Sequence, residues 1–422
     1  MVIYQGKAFS IFTPGVSFVA APFYFIGKLI GIPQIAAYFS TIIFALINTV
    51  LIYTLARKLQ ASRLAACISS GIFLFATNAL PYAFGLTQHH FSLTVILLAL
   101  LNATEKRTWM NDILFGVYCG VGLLFDIPNV FLIFPIGIYV FLKHFNIATI
   151  SSKVKLSLNP IVFAIIFGII PFLILFSIYN HELTGSYTKI GQTIGRADIK
   201  NTKVVNETPK SIYEKKLPFN TRNEILGMYT LLVSNERSWL WYSPILLIGV
   251  LGAYIGYKRS KLRTQTILLI SLIVTNIVIY SMFGDPWGGW AFGPRYLIPS
   301  AAALAILIAL AVDRFKKLMV FNIIVFGLIF YSIYINVLGM MTTTSIPPKQ
   351  EAEALSKPIP YTYQYNLDLA KTNNSKSYLY TTYFRDNIDL NSFILAYSSI
   401  VFAMLAFPYF GYWWKDKEKS WI

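Results

Sequence analysis

Gly284-Asp-Pro-Trp-Gly-Gly-Trp-Ala-Phe-Gly-Pro-Arg-Tyr296 joins two long apolar runs, 265–283 and 297–312. Runs of that length are what a helix needs to cross a bilayer, so this stretch reads as a short loop at a membrane face. Its glycines let backbone approach a ligand closely, and its prolines stiffen the turn. Trp287 and Trp290 suit the headgroup level, and Arg295 offers a planar, permanently charged fork suited to phosphate. An interfacial turn with an aromatic anchor and a snorkelling Arg would need neither Asp285 nor the glycines.

Outward from this loop the pattern repeats. Hydrophobic residues make up 56% of the 422 and charged residues 13%, against about a quarter charged in a soluble domain. Apolar candidates fall at 35–56, 64–84, 88–104, 109–125, 128–144, 157–179, 239–257, 265–283, 297–312, 318–338 and 393–413, about eleven spans in all. The expected fold is an all-α polytopic transmembrane helical bundle in one integral-membrane domain, residues 1–422.

The formal charge of +17 does not indicate nucleic acid, because its placement is that of membrane loops. Arg57, Lys58 and Arg63, Lys106 and Arg107, and Lys143, Lys153 and Lys155 fall on alternate connections. So do Lys258, Arg259, Lys261 and Arg263, then Arg314, Lys316 and Lys317, then Lys415, Lys417 and Lys419. The short connections between them, 85–89, 126–129 and 284–296, carry Arg295 alone. This asymmetry sets topology. It puts the C-terminus in the cytoplasm and two long connections, 180–238 and 339–392, outside. Each holds an Asn-X-Ser/Thr sequon, Asn206-Glu-Thr208 and Asn373-Asn-Ser375, and both suit partly ordered caps over the outer face. Cys67 and Cys119 sit in apolar runs, which argues against a disulfide framework.

Residues 14–31 are apolar but interrupted by Pro22, Gly27 and Lys28. They are expected to form an amphipathic helix on the outer face, near Trp287–Tyr296. An odd number of spans with a cytoplasmic C-terminus puts the N-terminus outside. That parity leads us to expect a further membrane helix upstream of Met1, without which the chain would lack activity.

Several polar residues stand out at the outer ends of spans. Asp126, in Leu124-Phe-Asp-Ile-Pro-Asn129, suits a base, a cation ligand or an N-cap of the next helix. His89 and His90 open a span without a carboxylate nearby, so no metal site is expected. Ser234-Asn-Glu-Arg-Ser-Trp-Leu-Trp-Tyr-Ser-Pro244 places Glu236 and Arg237 at the membrane surface. Arg237 and Arg295 both lie beside Trp and Gly or Pro, and two guanidinium groups at headgroup depth suit a lipid phosphate or diphosphate.

The run Ser10-Ile-Phe-Thr-Pro-Gly15 with Ala21-Pro-Phe-Tyr24, the Ser234–Pro244 stretch and Trp287–Tyr296 resemble the GT-C membrane glycosyltransferases. These are related to protein O-mannosyltransferases and aminoarabinose transferases. The resemblance follows most of the chain in hydropathy order, and only these motifs are specific. It implies transfer of a sugar from a polyprenyl-phosphate-linked donor to an acceptor outside the cytoplasm, in a multi-pass protein of the cell membrane. No cofactor is implied beyond that lipid-linked substrate, and a divalent ion is left open. The family's usual acid lies in the first outer loop, yet no Asp or Glu precedes Glu105 here. Asp285 and Asp126 are the short-loop carboxylates left for a catalytic base. The resemblance then gives Arg237 and Arg295 the lipid phosphate, and Trp287, Trp290 and Tyr296 the sugar or isoprenoid, with Glu236, His89 and His90 beside them. A flippase or transporter of a lipid-linked substrate is the alternative, as is a non-catalytic subunit or degenerate paralogue. Donor sugar, acceptor and oligomeric state do not follow from the sequence.

Overall fold

The computed structural model describes residues 2–4, 7–10, 12–150, 153–191, 224–283 and 285–418. The Asn206 sequon and the charged residues around it lie outside the described residues.

The expected spans are helical, two of them in more than one piece, and the fold is a polytopic helical bundle. Six helices are long and apolar enough to cross a membrane: Pro33–Lys58, Pro160–Thr184, Arg263–Ser281, Arg295–Phe315, Met319–Met341 and Leu390–Phe410. Shorter apolar helices include Gly15–Leu29, Arg63–Phe75, Trp109–Phe125, Asn129–Leu142 and Pro244–Lys258, and Gln88–Thr104 completes the series. Two small antiparallel hairpins accompany them, Val2–Tyr4 with Lys7–Phe9 and Phe145–Ile150 with Lys153–Leu158. The described residues group into two compact units, Met1–Ala37 with Val95–Asn220, and Tyr38–Thr94 with Thr221–Ile422.

In the first unit, Trp109–Phe125 crosses Pro160–Thr184 at a pair of glycines. A methyl group added at Gly116 would overlap the Ile165 carbonyl, and one at Gly168 would overlap that of Ile113. Small residues at a crossing let backbones approach where lipid supplies no hydrophobic drive. Gly15–Leu29 forms as expected and seats Gly15 on the Leu124 carbonyl. Phe18, Phe25, Ile26 and Leu29 of this helix stay exposed. One end of the unit holds a buried charge cluster. Asp112 pairs with Arg107 at 3.0 Å and with His144 at 3.1 Å, while Lys143 donates to the Ala103 and Glu105 carbonyls.

The second unit is built around Ile298–Phe315. Every residue from Ile298 to Val312 is buried, and its alanines at 301–303, 305, 309 and 311 keep the surface shallow. Gly249, Gly252 and Gly256 of the neighbouring helix lie against Leu304, Leu307 and Leu310. Asp313, at the far end, accepts from the Ser62 hydroxyl and backbone N–H, and Ser62 in turn caps Arg63–Phe75. The basic residues at 57–63 and 314–317 therefore gather at the end opposite residues 285–296.

The expected 64–84 span divides into Arg63–Phe75 and Ala79–Ala83, because Thr77 and Asn78 turn their polar groups inward. Within 180–238, Glu224–Leu232 is an apolar helix that seats Gly227 on the Ser281 backbone and exposes Ile225, Leu226 and Tyr229. Residues 342–389 fold back onto the end of Met319–Met341. Asn366 donates to Thr342 and to the Thr343 carbonyl, both at 2.7 Å. Asn373, at φ 56°, accepts from Tyr380 and from the Leu390 backbone.

Overpacking a crossing of this kind costs about 1–3 kcal/mol or more. Gly168→Leu should therefore lower the thermal midpoint of the purified protein by several degrees. Gly137→Leu, whose site has open space around it, should leave it nearly unchanged. Fluorescence-detected size-exclusion after a heat ramp measures both.

Candidate active site

In the second unit, residues 285–296 form an irregular loop held on all sides by buried polar side chains. Gly288, Gly289 and Gly293 have φ of 77°, 65° and 58°, values that L-residues with side chains rarely adopt. Space adds a second requirement. A Cβ at Gly293 would run into the Asn78 amide and lie 2.8 Å from the Tyr242 ring, and one at Gly288 would lie 2.9 Å from Arg295 Nε.

Phe292 is the loop's anchor. Its carbonyl accepts from Asn78 Nδ2 at 3.1 Å and Tyr82 Oη at 3.2 Å, and its N–H donates back to Tyr82 at 3.0 Å. The ring stands edge-on to Tyr242, with centroids 4.9 Å apart. Asn276 fixes the other end, donating to the Tyr296 carbonyl at 3.1 Å while accepting from the Ser300 hydroxyl at 2.7 Å. Tyr296 stacks on Tyr280 at 4.4 Å.

Arg237 corrects the expectation from sequence. It is fully buried, lies within reach of Tyr242, and donates to backbone carbonyl oxygens. Nε donates to Trp287 at 3.2 Å, Nη1 to Glu236 at 2.7 Å and Tyr361 at 3.2 Å, and Nη2 to Ile346 at 2.8 Å and Pro347 at 3.2 Å. A guanidinium has five N–H groups, and all five are engaged. With every donor on a backbone carbonyl, Arg237 ties together the segments around the loop. His90 is likewise committed. It is fully buried, one ring nitrogen 2.9 Å from the Ala79 carbonyl and the other 3.4 Å from Asn48 Nδ2. Glu236 orients Trp287 by accepting its indole N–H at 2.6 Å.

Arg295 differs from Arg237. Its guanidinium lies 5.3 Å from the Tyr296 ring centre, and its Nε is buried with no hydrogen-bond acceptor. A buried unmet donor is costly and calls for an explanation. The charge of Arg295 acts on Tyr82, His89 and Asp285, and His89 packs edge-on to Tyr82 at 5.3 Å. Burial pushes the Asp285 carboxyl above its ordinary range, against the opposing pull of the Gly289 N–H and the charges of Arg295 and Arg237. The charge of Glu351 adds to the upward shift. Glu351 also accepts the Trp290 indole N–H at 2.5 Å.

Asp126 belongs to the other unit. It closes Trp109–Phe125 at its C-terminus with its N–H on the Gly122 carbonyl, and Pro128 occupies the N-cap of the next helix. The loop's supports Asn78, Tyr82, Asn276 and Glu351 were missed from sequence. Asn78 and Tyr82 had left a signal, as polar groups inside an apolar run. Among the described residues no group of three His, Cys, Asp or Glu side chains could hold a metal ion.

These features define a polytopic membrane protein with a polar site at one end of a helical unit. The profile of the dolichyl-phosphate-mannose-protein mannosyltransferase family matches residues 13–175. Among solved structures, the chain is similar to ArnT from Cupriavidus metallidurans in the apo state, with TM-score 0.51 and 14% identity over 96% of this chain and 66% of ArnT. It is also similar to the same enzyme bound to undecaprenyl phosphate, with TM-score 0.49 and 13% identity over 97% and 69%. An Archaeoglobus fulgidus oligosaccharyltransferase in complex with zinc and sulfate gives TM-score 0.44 and 13% identity over 84% and 47%. No curated protein matches the sequence. The chain thus spans just under two thirds of the apo ArnT chain, and its fold is similar to that of ArnT.

Removing the Arg237 fan would take a donor from each of five carbonyls, of which Ile346 keeps the Ala291 N–H, and a buried unmet polar group costs about 1–3 kcal/mol. Arg237→Lys, which cannot reproduce the planar fork, should lower the thermal midpoint markedly. Limited proteolysis should then cut at 346–361, where wild type resists. Unchanged stability and protection would show that the five contacts are dispensable.

Proposed function

We propose that this chain transfers a sugar from a polyprenyl-phosphate-linked donor to an acceptor hydroxyl on the extracytoplasmic side of the membrane. The single observation that carries the reading is Arg295, whose Nε is buried and unmet and whose charge acts on the raised Asp285 carboxyl. The description of the matching family names a dolichyl-phosphate-linked mannose, which is a donor of this chemical class.

On this reading Arg295 holds the departing lipid phosphate, where negative charge builds as the glycosidic bond breaks. Asp285 takes the proton of the acceptor hydroxyl as that oxygen attacks the sugar carbon. Its raised pKa suits a general base, and the direct influence of Arg295 on it favours Asp285 over Asp126. Tyr296, stacked on Tyr280, lines the donor with Trp287, and His89 borders the same pocket from the Tyr82 side. Any divalent ion would sit on the donor's phosphate, and no step here depends on one.

Arg295→Gln should weaken binding of undecaprenyl phosphate, measured by thermophoresis in detergent, by about tenfold to 150-fold, the scale of one charge-assisted contact. Arg295→Lys should recover little of this. Full affinity in Arg295→Gln would remove the phosphate assignment. Asp285→Asn should keep lipid binding and lose transfer. In wild type, transfer should fall on acidification with a midpoint above the ordinary carboxylate range of about 4, since the base must be deprotonated and burial raises its pKa.

The same reading places the 342–389 segment outside and residues 258–263 in the cytoplasm. A cysteine introduced by Asn374→Cys should react with an impermeant maleimide in spheroplasts, and one introduced by Arg259→Cys only after lysis. The reverse pattern would overturn the topology.

A further inference from the structure

Trp290 is the one aromatic of the loop that the site's architecture leaves unused. The residue is 45% exposed, yet its backbone is fixed on both sides, by the left-handed Gly288 and Gly289 before it and by the Ala291 N–H on the Ile346 carbonyl after it. The indole N–H is held by Glu351. An exposed Trp in a membrane protein commonly sits in the headgroup belt with its body in lipid. Here the surroundings are polar. Glu351 belongs to Lys349–Glu353, a short helix of sequence Lys-Gln-Glu-Ala-Glu with every residue but Ala352 exposed. Lys349 is occupied, lying over the Tyr361 ring at 5.6 Å and 4.0 Å from Glu353. A rigid, open aromatic face beside an exposed carboxylate fits the two-sided chemistry of a sugar ring. The C–H bonds of one pyranose face pack on the indole, and hydroxyls donate to the carboxylate. The acidic pair Asp285 and Glu351 disfavours an anionic ligand in the same place.

We propose that Trp290 and Glu351 form a binding subsite for a neutral pyranose, the acceptor's sugar if the transfer reading holds. The exposed indole face takes the ring and the Glu351 carboxylate takes its hydroxyls.

Saturation-transfer NMR on the full chain in nanodiscs tests this, with methyl α-D-mannopyranoside and methyl β-D-glucopyranoside as probes and glucitol as an acyclic control. Wild type should transfer magnetisation mainly to C–H protons of one ring face of a pyranoside and little to glucitol. Trp290→Ala should reduce the effect about fivefold, on the scale of one aromatic contact. Trp290→Phe should retain part of it, and Glu351→Gln should weaken it. Equal transfer in wild type and Trp290→Ala, or no transfer in wild type, overturns the proposal. Undecaprenyl-phosphate binding, followed in parallel, separates the two readings. If Trp290→Ala keeps lipid binding and loses pyranoside contact, the fold is intact and the subsite stands. If Trp290→Ala loses both, Glu351→Gln decides, because it leaves the ring in place; unchanged pyranoside contact there counts against the subsite. If wild type fails to bind the lipid phosphate while Trp290-dependent pyranoside contact persists, the transfer reading fails and the sugar subsite remains.

Discussion

A single buried cation organises the polar end of the second unit. Among the described residues Arg237 has no carboxylate ion-pair partner; its charge is spread over five backbone carbonyls from four separate stretches of chain, at 236, 287, 346–347 and 361. Burying an unpaired charge costs several kcal/mol, and only a full set of short, well-directed acceptors offsets that. The requirement works in both directions. The guanidinium needs all of these segments in place, and the segments, which have no regular secondary structure to satisfy their carbonyls, need the guanidinium. Ile346 shows the economy of the arrangement, since its carbonyl also accepts from Ala291 and so ties the 285–296 loop to the segment that follows Met319–Met341.

With that frame set, the loop's own composition follows. Three left-handed glycines allow it to fold tightly against Arg295, Asn78 and Tyr242. Asn78, Tyr82 and Asn276 supply the hydrogen bonds that a loop lacks internally. The result is a division of labour between two arginines that look equivalent as letters. Arg237 is spent on architecture, whereas Arg295 is held beside Asp285 with a donor still unmet. A group held for binding needs rigid support from neighbours, and on the proposed reading Arg237 supplies that support for Arg295.

The spans were legible because a bilayer demands about twenty apolar residues whatever the neighbours are. Within the second unit, the basic residues at 57–63 and 314–317 share one end through Ser62 and Asp313. Boundaries slipped where tertiary contacts intervened. Asn78 interrupts an apolar run because it reaches Phe292, 214 positions away. Glu224–Leu232 looked like part of a loop because nine residues are too few to span. The 285–296 loop was recognisable by its residue types, but the roles of Arg237, Glu236 and His90 were not. Those depend on which carbonyls and indoles happen to lie within hydrogen-bond reach, which no local spacing encodes. Glu351 carried no signal at all, since its neighbours in sequence are ordinary polar residues of a surface helix.

The two tryptophans of the loop carry this one step further. Trp287 and Trp290 are three residues apart, and each donates its indole N–H to a glutamate, Glu236 and Glu351. Glu236 is next to Arg237 and belongs to the buried frame, so Trp287 is fixed from within. Glu351 is on an exposed helix of the segment that Arg237 also clamps through Ile346, Pro347 and Tyr361, so Trp290 is fixed from the water side. The interior cation therefore sets both indoles, one through its neighbour in sequence and the other through the segment it clamps. A change at Arg237 should be felt at the open Trp290 face although the two side chains share no hydrogen bond. Coupling of this kind needs no moving part, only a loop and a cap that hang on the same guanidinium.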